Sequence, residues 1–477
     1  MPVDPVVLAT LVLYLLLMLG VGAWAARRNR DGGDYYLGGR GLGPWVGALS
    51  SASSSSSAWT LLGVSGAAYT YGLGAVWILP ACLGGFVLNW FVVAGPLREA
   101  TVRSGAVTVT EWLAEGSPPR AARRLVRMAS VIVLVSLATY VASQFQAAGK
   151  TFAETFGLNA VPAVLVGAVV VLAYTVFGGF WAVSVTDTIQ GLVMAAAAVI
   201  VPLAALLAAG GPAGMFAGLR AADPLLTDPF RGLAAPAALG MVIGTFGIGL
   251  GYPGQPHVIN RFMAMRDAGA LRRGRTIAVV WALLIYSGML VAGWCAHAVL
   301  VSGPADPEAA LIGLTRDLLP PAVAGAVIAA ILSAVMSTAD SQLLVCASTL
   351  AYDLGGGRSG AAALRRGRVT VLVVGVIAAG AAVLVDETIF NMVLFAWSSL
   401  GAAFGPLVLV RLKRGPVAPG HAQAAMAAGF VVSVAWFALK KAGVRPFADL
   451  YELVPAFAIA LAIAWRGSGK RAVSPPA

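Results

Sequence analysis

Long apolar runs, separated by short stretches of charge, glycine and proline, dominate the pattern of this chain. A helix needs roughly 20 apolar residues to cross a bilayer core, and dividing the sequence at its breaks gives about thirteen segments of that length. The runs are continuous instead of alternating at every second position, which predicts helices and not the strands of a membrane barrel. Helices also satisfy their backbone polar groups within each segment, as lipid requires. The expected fold class is an all-α polytopic membrane protein of about 13 transmembrane helices. The first run, Pro5 to Ala26, has no basic stretch before it and no small-residue cleavage pattern after it. It is therefore expected to be a retained helix and not a signal peptide.

Composition agrees with this pattern. Of 477 residues, 59% are hydrophobic and 11% charged, with a mean hydropathy of +0.86, whereas a soluble domain carries about 25% charged residues. Cys82, Cys295 and Cys346 lie far apart inside apolar runs, and His257, His297 and His421 are equally scattered. Neither set forms a disulfide framework or a metal cluster, so ordinary packing is expected and no cofactor. The net charge of +12 comes without a basic stripe interleaved with aromatics, so no nucleic-acid partner is expected. With the N-terminus outside, the inner breaks (Arg27 to Arg40, Arg98 to Arg127, Arg261 to Arg275, Arg358 to Arg368, Arg411 to Arg414 and Arg466 to Arg471) hold 25 of the 32 basic residues. The outer breaks hold only Lys150, Arg220, Arg231, Arg316, Lys440, Lys441 and Arg445. This bias obeys the positive-inside rule and places the C-terminus in the cytoplasm.

Of the twenty acidic residues, all but Asp187 and Asp340 fall in the breaks. A carboxylate inside a span costs about 2.5–3.5 kcal/mol on insertion scales, so each is a candidate ion or proton site. The blander alternative for Asp187 is a helix N-terminus near the inner interface, where the helix dipole offsets its charge.

Two spans carry helix-breaking sequence. The second contains Ser50, Ser51 and the unbroken run Ser53 to Ser57, whose hydroxyls compete for backbone hydrogen bonds. The seventh contains Gly247, Gly249, Gly251, Tyr252, Pro253, Gly254, Gln255 and Pro256, where proline removes donors and glycine loosens the chain. They lie five segments apart and so run in opposite directions, the arrangement of inverted repeats whose broken helices build a midplane site. Close helix packing through small residues is the competing explanation for either one alone. In the ninth span, Ala334, Ser337, Thr338 and Ser341 share one helical face, flanked by Asp340. Such hydroxyl and carboxylate oxygens suit an alkali cation, although Ser and Thr also bond back to their own helix.

The stretch Gly178 to Gln190 (Gly-Gly-Phe-Trp-Ala-Val-Ser-Val-Thr-Asp-Thr-Ile-Gln) resembles the signature of sodium:solute symporters. So do Gly251 to His257 followed by Arg261 to Ala264, Ser337-Thr338 followed by Gln342 to Leu344, Ala396-Trp397 followed by Gly401 to Pro406, and Tyr451 to Pro455. Taken together they are most similar to the sodium/proline symporter branch, over roughly residues 5 to 466. The resemblance implies a 5+5 inverted-repeat, LeuT-like core with broken helices at spans two and seven, and alternating access. Residues 1–40 would then form a leading helix and cytoplasmic loop, 41–210 and 234–412 the two repeats, 420–466 two trailing helices, and 467–477 a cytoplasmic tail.

By motif position, the resemblance implies a sodium site from the main-chain carbonyls of Ser53, Ser56 and Ala334 with the hydroxyls of Ser337 and Thr338. It implies a second cation or proton site at Asp187, Ser337, Asp340 and Ser341, sodium being the only metal. Substrate contacts would come from Ser57, Trp59, Tyr140, Gln144, Ile248, Tyr252 and Trp397. The implied activity is sodium-coupled symport of a small solute, proline or a related amino acid. Proton coupling, or a carboxylate, sugar or vitamin substrate, is the alternative within the same fold. The setting would be a bacterial inner membrane, with a monomer as the functional unit.

The chain departs from the branch at Ser53, where alanine is usual, at Ser55, where an aspartate is expected, at Asp340, where serine is usual, and at Ile248, which replaces an aromatic. The resemblance thus implies that a carboxylate has moved from one helix to another, keeping negative charge near the cations. A membrane sensor is disfavoured because only a short tail follows Trp465, and an intramembrane enzyme because no nucleophile and base face each other. A channel is separated by an assay of concentrative uptake. Asp340→Asn is expected to abolish the cation dependence of transport; unchanged cation dependence in the variant contradicts the displaced carboxylate.

Overall fold

The computed structural model describes residues 4–26, 37–176, 179–301, 303–355, 361–385, 387–444 and 450–469. Arg27, Arg28, Arg30, Gly178, Arg358, Arg445 and residues 470–477 of the expected tail lie outside the described residues. Among the described residues the chain is helical, with two isolated backbone bridges, Leu42 to Met265 and Val417 to Ser468, and no strand. The first half comprises α1 (Pro5–Ala26), α2 (Pro44–Ser55), α3 (Val64–Tyr71), α4 (Ile78–Val87), α5 (Ala94–Ser104), α6 (Val109–Ala114), α7 (Pro119–Phe156), α8 (Ala160–Thr175) and α9 (Phe180–Ala208). Then come α10 (Gly211–Ala222), α11 (Ala235–Leu250), α12 (Pro256–Ala264), α13 (Ala268–Val299), α14 (Ala310–Leu318), α15 (Pro321–Ser348), α16 (Ala361–Leu384), α17 (Ile389–Arg414), α18 (Pro419–Lys441) and α19 (Leu453–Gly467).

Helix starts follow local chemistry. Proline opens α2, α7, α12, α15 and α18, where its missing N–H costs nothing. Asp267 caps α13 by accepting from the Ala270 amide at 2.7 Å, and Thr388 caps α17 by accepting from the Asn391 amide at 3.2 Å. Ten helical stretches among the described residues are long and apolar enough to cross a membrane, and α8 and α19 are shorter apolar helices. One stretch, Trp59–Ser104, runs for 46 residues, more than twice the roughly 20 a crossing needs. It is divided by a 3-10 turn at Gly72–Trp77. Gly72 has φ +54°, and a Cβ there would fall 2.2 Å from the Leu226 carbonyl oxygen, so only glycine fits.

Burial ranks the helices by position. In α15 and in α17, 83% of the most apolar window is buried inside the protein; in α1 only 11% is. The first two therefore form the centre, while α1 turns Leu13, Leu16, Leu17 and Trp24 outward, a face suited to lipid. α9 packs against α2, α13 and α15, which brings Asp187 beside the serine-rich end of α2.

Close approach of backbones fixes this packing. A Cβ at Gly288 of α13 would lie 2.1 Å from the Ala198 carbonyl oxygen of α9, and one at Gly293 would lie 2.2 Å from the Ser65 carbonyl oxygen of α3. Gly288→Leu is expected to force α13 from α9 at a cost of about 1–3 kcal/mol, read as a lowered midpoint of thermal unfolding in detergent. An unchanged midpoint contradicts the contact.

Candidate functional site

Helix α2 stops inside the protein. Ser56 leaves helical geometry at φ −114°, ψ 78°, and helical structure resumes through a π-helical turn, Trp59–Gly63, that leads into α3. Carbonyl groups at such an end lose their intrahelical donors. At the end of α2 the Ser53 carbonyl accepts from the Ser56 amide at 3.2 Å and from Ser337 Oγ of α15 at 3.2 Å, and the Ser54 carbonyl accepts from Thr338 Oγ1 at 3.1 Å. Of the residues named for sodium, Ser53, Ser56, Ala334, Ser337 and Thr338 are all buried, and Ser337 also lies 3.4 Å from the Ala334 carbonyl. The Ser54 carbonyl shares this junction, although the motif did not name it. The Oγ atoms of Ser54 and Ser56 have no hydrogen-bond partner.

A second interruption follows α11. Gly251 leads into a 3-10 turn, Tyr252–Gly254, and Gln255 is extended before α12 begins at Pro256. Here α17 provides the bonds: Trp397 Nε1 donates to the Ile248 carbonyl at 3.0 Å, and Gln255 Nε2 donates to the Trp397 carbonyl at 3.0 Å. Gly251 and Gly401 touch backbone to backbone, since a Cβ on Gly401 would come within 2.8 Å of the Gly251 Cα.

The residues named for substrate fall into two groups around these interruptions. Tyr140 donates to Ser57 Oγ at 3.3 Å, and the Ala58 amide donates to Gln144 Oε1 at 3.2 Å. On the other side, Tyr252 packs edge-on against Trp397 with ring centroids 4.8 Å apart, next to Ile248. Tyr286 of α13 links the groups: its hydroxyl is 3.1 Å from that of Tyr252, and its ring is 6.3 Å from that of Trp59. Phe390 covers Trp59 at 5.6 Å. All are buried. A large apolar cleft of about 630 Å³, lined by residues such as Leu134, Val374 and Phe395, is built from other residues.

Sequence pattern places Arg261 in a cytoplasmic break; the structure instead buries it within α12, 1% exposed. The physical reason is Asp187, whose Oδ2 pairs with Arg261 Nη2 at 3.0 Å and accepts from Ser50 Oγ at 2.7 Å. Arg261 also donates to Ser50 Oγ at 3.1 Å, to Ser341 Oγ at 2.5 Å and to the His257 carbonyl. Asp340 Oδ1 accepts from Ser341 Oγ at 3.3 Å. Asp187 and Ser341 thus meet at one guanidinium, and Asp340 joins them through Ser341. Asp187 Oδ1 and Asp340 Oδ2 have no partner, nor has either ring nitrogen of His257. A lone intramembrane carboxylate calls for a cation nearby, the signal that could have identified Arg261.

A further cluster was also missed. Lys150, assigned to an outer break, ends up in α7, pairing with Asp306 at 2.5 Å and Glu308 at 2.6 Å. Glu308 is buried and accepts from the amides of Ile389 and Phe390, capping α17 beside the ring that covers Trp59.

A multi-pass helical membrane protein in which α2 and α11 end against buried polar side chains, with two buried carboxyl groups close by, shares features with secondary transporters. Residues 35–429 match the sodium:solute symporter family, and the chain belongs to it. It is 37% identical over 455 residues to the high-affinity proline transporter PutP of Bacillus subtilis, covering 93% of this chain and 94% of that one. It is 34% identical over 472 residues to the sodium/proline symporter of Salmonella typhimurium, covering 96% and 91%. In fold it is similar to a sodium-coupled sialic acid symporter in its substrate-bound outward-open state, with TM-score 0.79, 19% identity and 98% of both chains covered. It is also similar to MhsT in complex with L-phenylalanine, with TM-score 0.54, 12% identity, and 89% and 98% covered.

Glu308→Ala strips a cap from α17 and a partner from Lys150. It is expected to cost about 1–3 kcal/mol, seen as a lowered thermal midpoint, with Glu308→Gln losing less. Equal midpoints for wild type and both variants contradict the role of this cap.

Proposed function

We propose that the protein is a sodium-driven symporter carrying proline into a bacterial cell across the inner membrane by alternating access. It is a transporter and not an enzyme. The observation that carries the reading is the junction of α2 and α15, where Ser337 and Thr338 hydroxyls rest on carbonyls released by the end of a helix. An arriving sodium ion takes those oxygens as ligands. The carbonyls of Ser53, Ser56 and Ala334 complete the set, each hydroxyl turning its lone pairs to the ion. Sodium then ties α2 to α15, and its loss to the cytoplasm frees them to part.

The topology we favour has thirteen crossings: α1, α2 with α3, α4 with α5, α7, α8, α9, α11 with α12, α13, α15, α16, α17, α18 and α19. Crossings two to six and seven to eleven form the inverted repeats, residues 41–210 and 234–412. The interruptions after Ser55 and Leu250 are the paired breaks. Lys and Arg distribution supports an outside N-terminus and a cytoplasmic C-terminus. A monomer contains every residue the cycle needs.

We assign proline to the region between the two groups. Trp59, Tyr140, Tyr252 and Trp397 offer faces for an apolar ring, while Ser57 and Gln144 sit at the α2 interruption with polar atoms for its carboxylate and amine. The relatives named as proline transporters at 34–37% identity support this substrate. The unpartnered Asp340 Oδ2 favours a second reading, in which a proton binds there and replaces or joins sodium.

Labelled proline should accumulate in proteoliposomes under an imposed sodium gradient and not under potassium. Ser337→Ala should raise the sodium concentration for half-maximal uptake about tenfold, the loss of about 1.4 kcal/mol of binding. Accumulation under a proton gradient alone overturns sodium coupling, and no accumulation under either gradient overturns proline.

A further inference from the structure

Helix α16 begins with charge that the transport cycle does not use. Its apolar span runs from Arg365 to Leu384, which puts Arg365 and Arg366 where the helix meets the membrane surface. Both are exposed, and among the described residues neither forms an ion pair with a carboxylate. Guanidinium groups stay charged in any protein environment, and two of them side by side repel each other.

These arginines line a cleft of about 500 Å³ together with Leu350, Val369 and Thr370. Leu350 belongs to the turn after α15, Thr349–Asp353, and it also lines the apolar cleft of about 630 Å³ described above. The two clefts therefore adjoin at Leu350. Along α16 their lining continues at helical spacing, from Arg366 and Thr370 to Val374 and Ile377. One face of the helix thus carries charge at its end and hydrocarbon beyond. From Arg366 to Ile377 the helix rises about 16 Å, close to one leaflet of a hydrocarbon core roughly 30 Å thick. Val373 and Ile377 are more than half exposed, so the apolar cleft opens to the membrane.

We propose that the joined clefts bind one anionic phospholipid, its phosphate on Arg365 and Arg366 and an acyl chain along Val374 and Ile377. Guanidinium groups take phosphate oxygens two at a time, and basic pockets between spans suit such headgroups. A net-negative headgroup is favoured over a zwitterionic one, because two uncompensated cations repel the ammonium of the latter. In the topology proposed above the lipid comes from the cytoplasmic leaflet.

Neither the solute nor the coupling ion enters this inference, so its test needs no transport. Full-length protein in detergent is titrated with long-chain phosphatidylglycerol, and bound lipid is counted by native mass spectrometry. Wild type is expected to hold one lipid, with phosphatidylcholine of the same chains bound about tenfold more weakly. Arg365→Gln with Arg366→Gln is expected to weaken phosphatidylglycerol about thirtyfold, the loss of two basic contacts, while Arg272→Gln with Arg273→Gln stays within about twofold of wild type. That control pair is equally exposed and sits in the second turn of α13. Equal weakening by both pairs, unchanged binding in the Arg365 and Arg366 variant, or equal affinity for the two headgroups overturns the site. Glycerol 3-phosphate, which has no acyl chain, should not displace the lipid at equal concentration; full displacement overturns the role of the apolar cleft.

Discussion

A helix that ends inside a membrane protein leaves carbonyl groups in a place where no solvent can satisfy them. In this protein α2 ends at Ser55, and the carbonyls of Ser53 and Ser54 are met by the hydroxyls of Ser337 and Thr338. Much else depends on that junction. It places α15 at the centre, where the surrounding helices bury it along nearly its whole length. It also makes the joint exchangeable. A hydroxyl donor and a monovalent cation are alternative partners for the same carbonyl oxygens, so the sodium binding we propose here would couple the ion to the contact between the two helices. Interruption of α11 is handled differently, by the indole of Trp397 and the amide of Gln255. That joint is made by side-chain donors to backbone carbonyls, next to the aromatic group.

Charge in the core follows from the same constraint. Asp187, Arg261, Ser50 and Ser341 draw α2, α9, α12 and α15 together at one point, and each is costly to bury without the others. A buried ion pair is a weak argument for net stability, and what these bonds show is which four helices meet. On the opposite flank, Lys150 and Glu308 tie α7 to the start of α17 next to Phe390 and Trp59.

Apolar periodicity was enough to read the helical class, because segments of spanning length separated by basic breaks leave few alternatives. The serine run at 53–57 and the Gly-Pro cluster at 251–256 announced where helical geometry is lost, since both act through the local backbone. Asp187 and Asp340 stood out as carboxylates without a break around them. Arg261 did not, because it lies three residues before Ala264, where α12 ends, and so resembled the first charge of a loop; only its partner on α9, 74 positions away, shows that it is buried. Lys150 and Glu308 were hidden for the same reason: sequence distance conceals a pair 158 positions apart. Local chemistry was legible, and long-range pairing was not.

The central claim is that sodium is held where α2 ends against α15. Amide hydrogen exchange in the full-length protein, followed in sodium and in potassium at equal ionic strength, tests it most directly. The account predicts that sodium slows exchange in a peptide spanning residues 50–60 and in the facing turn of α15 around Ser337. Exchange that is the same in both salts at these two segments, or protection confined to the α11–α12 interruption, would contradict it.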